Sequence, residues 1–302
     1  MTVIAVLCSD IHLCHTCPPA RSAEPDWYAA MKRPLDQLYE ISLEVQAPVI
    51  AAGDIFDKHN PPPELINFAM QNMPEMYAVP GQHDLPYHNY MDREKSAYFS
   101  LVLKDTIGPL DEDHVPWDSS PRFNMFGFPW GREWKPTKRA SKPNILVAHR
   151  YVWQRGSGYP GAPKESLVGN LPSLEGYDVA VFGDNHQPFF SKHHGCLVVN
   201  PGCLIPRKSD ERSIRPGVYL LKDDLTVARR ELDTSEDKWA ELDPDEVRTE
   251  SEMDGMQDFL DELRSLDADS LDFGAAVRRY CTDNKVSKRT EQLVLESMGE
   301  EA

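Results

Sequence analysis

The 302-residue sequence lacks several features, and each absence excludes a class of protein. No uninterrupted run reaches the 18 or so apolar residues that a membrane-spanning helix needs, so we expect no membrane partner. The first residues lack the basic segment of a signal peptide, and we interpret residues 3–8 as a buried strand of a cytoplasmic protein. Repeats and low-complexity tracts are also absent. With 40% hydrophobic residues, the chain can form a sizeable core.

Cysteine is scarce, with six residues in the whole chain. The Cys-His-Thr-Cys motif at residues 14–17 offers part of a zinc site, but no second Cys-x-x-Cys follows it. A structural zinc ion needs four ligands. His193, His194 and Cys196 could complete such a site only if folding brought them to the motif. We therefore expect neither structural zinc nor, in a reducing cytoplasm, disulfide bonds.

An excess of basic residues is absent too, since the formal net charge is −17. The acids are concentrated in residues 231–272, which contain 17 acids and 3 bases. Residues 273–302 contain five of each, and residues 1–230 contain 27 acids and 24 bases, a net charge of −3. Two divalent cations would make this first part slightly positive. The overall charge therefore does not exclude a polyanionic substrate. We interpret the acidic stretch as a solvated linker; a DNA-mimicking brake is its alternative.

What the sequence does contain is a series of hydrophobic strands that end in polar residues. We predict such strands at residues 3–8, 49–52, 76–79, 144–148 and 178–182, and further strands at 123–128, 196–199 and 217–221. Predicted helices cover residues 25–46, with a kink at Pro34, and 64–72. Strands that alternate with helices and then follow one another predict sheets between helical layers. Beyond residue 230 we predict an apolar helical stripe from Met253 to Leu266 and short helices at 274–281 and 287–298.

The polar residues at these strand ends belong to five short segments. They are Asp10-Ile11-His12, Gly53-Asp54-Ile55-Phe56-Asp57, Gly81-Gln82-His83-Asp84, Ala148-His149 and Gly183-Asp184-Asn185-His186. Active sites of layered α/β folds collect at strand ends. Aspartate, histidine and amide groups are ligands for Mn²⁺, Fe²⁺, Zn²⁺ and Mg²⁺. One Asp-x-His pair is weak evidence for a metal site, whereas five such segments in this order are strong evidence together.

With these segments the chain resembles the calcineurin-like metallophosphoesterase superfamily. Within it, the chain is similar to the SbcD-type branch of double-strand-break repair nucleases, including phage-encoded members. The branch resemblance rests on residues 53–57, the Pro-Pro-Pro-Glu at 61–64, and the segments at 200–204 and 216–219. It covers roughly residues 1–222. It implies a four-layer α/β/β/α sandwich over residues 1–230, followed by an acidic linker and helical C-terminal module over 231–302.

The resemblance also implies a site with two divalent ions. Asp54 would bridge the two ions, whose remaining ligands would be Asp10, His12 and His186 for the first and Gln82, His149 and Asp184 for the second. A hydroxide held between the ions would attack phosphorus. His83 would act as general acid near the leaving oxygen, oriented by Asp84. Asp57 we expect to brace the loop.

Weaker candidates for substrate contacts are His88, Asn89, Arg150 and Arg207, for which ordinary loop or salt-bridge roles are the alternative. Two positions depart from the family pattern: Gln82 stands where asparagine is usual, and Asp184 where histidine is usual. Both changes fall on the second ion. Three carboxylates in one site favour hard ions, so we expect Mn²⁺, with Mg²⁺ as the alternative, over Zn²⁺.

The function that the resemblance implies is Mn²⁺-dependent hydrolysis of DNA phosphodiesters, either exonucleolytic or endonucleolytic. It also implies an SbcC-like ATPase partner docked on the C-terminal helices, and a homodimer, for which the sequence shows no interface signature. Two alternatives stay open: a small-molecule or cyclic-nucleotide phosphodiesterase, and a DNA-binding subunit with a weak second metal site. A protein phosphatase is disfavoured, because the second segment lacks the Asp-Arg-Gly of that branch.

Overall fold

The computed structural model describes residues 1–110, 122–156, 158–159, 162–243, 277–278, 280–282 and 285–297. The chain divides into two compact units. The first comprises Met1–Cys17, Glu24–Pro206 and Ser213–Asp237, and the second comprises Pro18–Ala23, Arg207–Arg212 and Lys238–Ala302. All described strands belong to the first unit.

The first unit is built on two sheets. Its strands are β1 (Val3–Cys8), β2 (Val49–Ala51), β3 (Met76–Ala78), β4 (Ile107–Pro109), β5 (Asn124–Phe128), β6 (Asn144–Ala148), β7 (Val179–Phe182), β8 (Phe189–His193), β9 (Cys196–Asn200), β10 (Gly217–Lys222) and β11 (Val227–Glu231). One sheet has the order β11-β10-β1-β2-β3-β4 and the other β5-β6-β7-β9-β8. The strands β1–β4 run parallel to one another, as do β5, β6, β7 and β9. Parallel neighbours place their carboxyl ends at one edge.

A continuous apolar core lies between the sheets. In β6, Ile145 and Val147 face this core, whereas Leu146 and Ala148 belong to a cluster on the outer face. This alternation follows from the two-residue period of a strand. Because both faces are covered, the parallel strands β1, β2 and β7 are apolar throughout, which is typical of parallel sheets.

Helices cover the outer face of the first sheet. They are α1 (Trp27–Val45), α2 (Pro63–Asn72) and α3 (Ala97–Leu103). The Asp26 carboxylate caps α1 by accepting from the Ala29 N–H at 3.1 Å, and Gln46 ends the helix with a left-handed φ of 53°. Pro34 lies inside α1, and the predicted kink there stays a prediction. The predicted helices at 25–46 and 64–72 agree with α1 and α2 within two residues.

The mixed α/β fold with two sheets flanked by helices is confirmed, but the outer layer of the second sheet differs from the expectation. There the described residues form loops and two short 3-10 helices, Lys164–Ser166 and Val168–Asn170, in place of α-helices. Bulky residues such as Trp134 and Tyr177 fill the space that a helix would occupy. The sequence analysis also missed α3, β4, β8 and β11. Among the described strands, β11 (VARRE) pairs only with β10, and charged side chains are common on such edge strands.

The second unit contains α4 (Lys288–Ser297), close to the predicted helix at 287–298. Ser287 accepts from the Thr290 N–H at 3.2 Å, and a small core contains Val277, Cys281, Val294 and Leu295. The predicted apolar helix from Met253 to Leu266 lies outside the described residues. Among those that are described, no helix combines the length and apolar character required to cross a membrane.

Candidate metal centre

The five sequence segments meet at one edge of the two sheets. The backbone N–H of Asp10 donates to the Gly53 carbonyl at 3.0 Å, and that of His12 donates to the Asp54 carbonyl at 2.9 Å. These bonds continue the β1–β2 pairing beyond the strands. From the second sheet, the Asp184 N–H donates to Oδ1 of Asp10 at 3.0 Å. Segments that are 174 residues apart in the chain are thus joined directly.

Four of the predicted ligands have left-handed backbone conformations, which side chains with a Cβ rarely adopt. The φ angles are 51° for Asp10, 50° for His12, 52° for Asp54 and 71° for Asp184. Each such residue costs about 1–2 kcal/mol. Strained backbone of this kind clusters at functional sites, where the surrounding structure enforces it. The strain here directs each side chain away from its strand and into the shared edge.

Asp10, His12 and His186 form the first group of side chains that could hold a metal ion. Nε2 of His12 lies 3.1 Å from Nε2 of His186, and Oδ1 of Asp10 lies 3.9 Å from both nitrogens. Asp10 is held by the Ser9 hydroxyl, which donates to Oδ2 at 2.6 Å. Two imidazole nitrogens and one buried carboxylate suit a transition-metal cation.

Asp54 joins this group to a second one. Its Oδ2 lies 3.7 Å from Nε2 of His12 and 3.2 Å from Nε2 of His149. Asp10, Asp54 and His149 likewise offer ligand atoms within 4.8 Å of one another. One buried carboxylate therefore reaches both groups, which is the arrangement that a bridging ligand requires.

Hydrogen bonding fixes which nitrogen His149 can offer. Its Nδ1 donates to the Ala52 carbonyl at 2.5 Å, so Nε2 faces Asp54. Burial alone would lower the pKa of His149, but Asp54, with smaller effects from Asp10 and Asp184, raises it to about 10. Burial would raise the pKa of Asp54, yet His149 and His83 lower it to about 2. The buried carboxylates therefore demand positive charge at this position.

Gln82 and Asp184, the two residues that depart from the family pattern, contact each other. The Gln82 Nε2 donates to Oδ1 of Asp184 at 2.9 Å, and the Gln82 Oε1 is buried without a hydrogen-bond partner. A buried acceptor without a donor is costly unless a cation faces it. The donor set, with its carboxylates, imidazoles and this amide oxygen, fits divalent metal ions. Asp184 is in none of the ligand groups found among the described residues.

The Asp84 carboxylate contacts the backbone of two segments, and its expected orientation of His83 stays a prediction. It accepts the backbone N–H groups of Ile55 at 3.1 Å, Phe56 at 2.9 Å and Gly81 at 3.0 Å. Burial raises the pKa of Asp84 to about 7, with Asp54 adding to the effect and the three N–H groups opposing it. Asp84 therefore holds the second and third segments together.

A contact that orients His83 comes from Asp57. Nδ1 of His83 donates to the Asp57 carbonyl at 3.0 Å, and the His83 N–H donates to Oδ1 of Asp54 at 3.1 Å. His83 is half-buried, and its ring centroid lies 5.1 Å from that of His12. The backbone carbonyl of Asp57, rather than its side chain, therefore makes the contact with His83. Sequence patterns do not reveal a contact of this kind.

We predict that Asp84→Asn destabilises the protein by about 1–3 kcal/mol, because an amide NH₂ group would face backbone N–H donors. Urea denaturation monitored by circular dichroism would measure the change. Asp105→Asn is the matched control, since Asp105 is exposed and already has a left-handed φ of 62°, which asparagine tolerates. Equal stability of the two variants would contradict the bracing role.

The four candidates for substrate contacts differ in placement. His88 packs edge-on against Trp130, with ring centroids 6.5 Å apart, and Trp130 lies 6.3 Å from the His149 ring. Asn89, by contrast, accepts from the Met91 N–H at 3.0 Å and caps a 3-10 helix. The Arg150 guanidinium lies over the Trp134 ring at 5.1 Å. Arg207 belongs to the second unit, where its N–H donates to Glu211 at 2.6 Å.

Trp130 itself was missed by the sequence analysis. It lies two residues after the end of β5, and its N–H donates to the Pro80 carbonyl at 3.1 Å, next to the third segment. A tryptophan at a strand end is also typical of packing, so the sequence offered no signal beyond its position.

The Cys-His-Thr-Cys motif at residues 14–17 does not form part of the site. His15 is exposed and bonds the Tyr28 hydroxyl at 2.8 Å, and the Cys14 carbonyl accepts from the Trp27 indole at 2.9 Å. All six cysteines are free thiols. Within the described part of the chain, the motif belongs to no group of metal-ligating side chains.

The chain is similar to solved structures of low sequence identity, and no curated protein matches it. A Thermus thermophilus protein is 12% identical with a TM-score of 0.45, and the match covers 77% of this chain and 100% of that one. An archaeal phosphodiesterase is 14% identical, with a TM-score of 0.40 and coverage of 76% and 99%. The Mycobacterium tuberculosis phosphopantetheinyl hydrolase is 14% identical, with a TM-score of 0.40 and coverage of 70% and 92%.

The family assignment comes from the sequence model of calcineurin-like phosphoesterases, which matches residues 5–188. This match spans more than half of the chain and includes all of the predicted metal ligands. The family hydrolyses phosphoesters with divalent metal ions, and the chain offers the carboxylates and imidazoles to hold them. This protein therefore belongs to the calcineurin-like phosphoesterase family and is a metal-dependent phosphoesterase.

Proposed function

We propose that the protein is a Mn²⁺-dependent DNA nuclease of the SbcD type, which hydrolyses phosphodiester bonds. The observation that carries the proposal is the position of Asp54, whose Oδ2 lies 3.7 Å from His12 and 3.2 Å from His149. A shared carboxylate between two ligand groups suits a pair of divalent ions. Such a pair polarises the phosphate and activates water.

The predicted ligands divide into two sets, one for each ion. The first ion would be held by Asp10, His12, His186 and Asp54, and the second by Asp54, His149, Gln82 and Asp184. Three carboxylates and an amide oxygen favour Mn²⁺ or Mg²⁺ over Zn²⁺.

His83 would protonate the leaving oxygen. Nδ1 of His83 donates to the Asp57 carbonyl at 3.0 Å, and this contact fixes the orientation of the ring. The buried Asp54 carboxylate accepts the backbone N–H of His83 at 3.1 Å and therefore holds this residue next to the predicted ligands. An alkoxide is a poor leaving group, so a proton donor contributes about 100-fold to 10,000-fold to the rate.

DNA is favoured over a small phosphoester by two features. The segments at residues 53–57 and 61–64 resemble the nuclease branch. The Trp130 ring lies 6.3 Å from that of His149, and His88 packs against Trp130. Aromatic side chains stack on bases in proteins that bind single strands.

We predict that His83→Ala lowers the cleavage rate of linear DNA with Mn²⁺ by about 100-fold or more. Gel assays on single- and double-stranded substrates would measure this and also reveal strand preference. His194→Ala is the matched control, since His194 is exposed at the β8–β9 turn. Comparable cleavage by the two variants would contradict the role of His83.

Two other outcomes would contradict the nuclease function and favour another one. Hydrolysis of bis-p-nitrophenyl phosphate without any cleavage of DNA, even with an added ATPase partner, would indicate a small-molecule or cyclic-nucleotide phosphodiesterase. The Gln82–Asp184 hydrogen bond favours a second candidate, because it occupies a carboxylate that the second ion needs. Binding of fewer than two Mn²⁺ per chain, measured by calorimetry on an inactive protein, would indicate a DNA-binding subunit with a weak second site.

The proposed setting is the cytoplasm, and the proposed partners are DNA, an SbcC-like ATPase and a second copy of the chain. The ATPase and the second copy are proposed from the branch resemblance alone. The ATPase would dock on the C-terminal helices, whose predicted apolar stripe lies outside the described residues. Light scattering of the full chain, alone and with the ATPase, would test both associations; a monomer in each case would reject them.

A further inference from the structure

Positive charge is concentrated in the segment that connects β5 to β6. We call residues 129–143 the basic strap. It contains five bases and one acid, a net charge of +4, whereas the other residues among the first 230 contain 19 bases and 26 acids, a net of −7. The bases of the basic strap are Arg132, Lys135, Lys138, Arg139 and Lys142.

The basic strap begins at the metal centre. The Trp130 N–H donates to the Pro80 carbonyl at 3.1 Å, and the Trp130 ring lies 6.3 Å from that of His149. At its other end the Pro143 carbonyl accepts from the N–H of Asn124, the first residue of β5. The basic strap therefore returns along the length of the five-residue strand β6, about 16 Å.

Hydrogen bonds hold its backbone in place over this distance. The Tyr177 hydroxyl donates to the Lys135 carbonyl at 2.9 Å, and Asn144 donates to the Lys138 carbonyl at 3.0 Å. Between them, the Thr137 N–H donates to the Glu175 carbonyl at 3.0 Å. Trp134 is buried, with its ring 5.4 Å from that of Phe182. The basic side chains are thus carried on an anchored backbone.

Four of these side chains are exposed: Arg132, Lys135, Lys138 and Arg139. Arg132 lies over the Tyr90 ring at 4.7 Å, and the other three are little neutralised. Within the described part of the chain, neither lysine has a carboxylate within 4.0 Å, and Arg139 lies 3.8 Å from Asp178. Arg139 also lines a cleft of about 500 Å³ together with His193 and His194. Exposed cations therefore lie on the segment that connects the metal centre with this cleft, and their charge would attract a phosphate backbone.

We propose that the basic strap binds the backbone of single-stranded DNA and leads the strand to the metal centre, an inference that rests on the proposed nuclease function. At about 3.4 Å per nucleotide, a stacked strand would need roughly five nucleotides to cover about 16 Å. Affinity should therefore rise with length up to about five nucleotides and change little beyond.

The test uses the full chain with Mn²⁺ in a His83→Ala background, so that DNA is cut slowly. Fluorescence anisotropy with labelled thymidine oligonucleotides of about 3 to 12 nucleotides, which bracket the expected site size, would measure the Kd. The strap variant combines Lys135→Gln, Lys138→Gln and Arg139→Gln. Its control removes equal charge at the exposed residues Lys32, Lys104 and Arg215, each changed to Gln.

We expect the strap variant to bind the longest oligonucleotide about tenfold more weakly or worse, with a salt slope reduced by about 2, and the control to stay within about twofold. In the presence of His83, the same three substitutions should leave bis-p-nitrophenyl phosphate hydrolysis nearly unchanged, because they do not touch the ligands. Equal affinities of the strap and control variants would overturn the inference.

The outcomes separate this inference from the nuclease itself. If the protein cleaves DNA but the strap substitutions do not change its affinity for DNA, the nuclease function is supported and DNA binding by the basic strap is rejected. If the wild-type protein does not cleave DNA but the strap substitutions weaken DNA binding, the nuclease function is rejected and the basic strap is supported as a DNA-binding site. Polyglutamate that competes as strongly as DNA would instead indicate an acidic protein partner and overturn the assignment to DNA.

Discussion

Asp54→Asn is expected to abolish phosphodiester hydrolysis, with a loss of at least about a thousandfold. Asparagine keeps the shape of the side chain but removes the negative charge that lies 3.2 Å from His149 and 3.7 Å from His12. It also places an NH₂ group where two ligand sets need a shared oxygen. Metal binding should fall from two ions to at most one, measured by calorimetric titration with Mn²⁺.

The control for this prediction is Asp57→Asn in the same loop. The Asp57 carboxylate lies 4.0 Å from Nδ1 of His12, at the margin of the site, whereas its backbone carbonyl, which orients His83, is unaffected by the change. We expect less than about a tenfold loss of activity. If Asp54→Asn kept two ions and a tenth of the activity, Asp54 could not be the bridging ligand.

The second large effect is expected for Gly53→Ala, in the residue before Asp54. Gly53 has a φ of +95°, and a Cβ there would lie 2.2 Å from Nδ1 of His149. The strain of the left-handed backbone costs about 1–2 kcal/mol, and displacement of the buried ring adds about 1–3 kcal/mol. We therefore expect a loss of about 2–5 kcal/mol in the free energy of unfolding. Because His149 must move, hydrolysis should also fall by about a hundredfold.

Gly156→Ala separates the two contributions. Gly156 has nearly the same φ, +94°, but no atom lies within 4 Å of the position that its Cβ would occupy. This variant should show only the cost of strain, and its activity should be unchanged. Urea denaturation and the hydrolysis of bis-p-nitrophenyl phosphate would measure both variants. Equal losses of stability and activity would show that the contact with His149 has no effect.

Much of the fold follows from local patterns. The apolar run at residues 144–148, followed by His149, predicts a buried strand with a polar end, and β6 has these bounds. The helix from Trp27 to Val45 was predictable because its apolar residues recur at helical spacing after the Asp26 cap. β8 (FFSKH) was missed because an antiparallel edge strand with one solvated face has a weak pattern.

The sequence predicted which residues belong to the site, but it did not predict the hydrogen bonds between them. Asp10, His12, Asp54, His149 and His186 lie together, and their roles as ligands stay predictions. The contacts that surround them join distant parts of the chain: Gln82 bonds Asp184 across 102 residues, and Asp184 bonds Asp10 across 174. Such partners depend on the order of strands in the sheets, which local patterns do not encode.

The sequence by itself therefore determined which residue types stand at the strand ends, because strand formation and side-chain chemistry are local properties. Only the tertiary structure decided that Asp84 braces the backbone while the Asp57 carbonyl orients His83. The same holds for Trp130 beside the metal centre and for the basic strap along β6. The physical reason is that each of these contacts arises where two sheets and their loops converge, and that convergence depends on the packing of the whole unit.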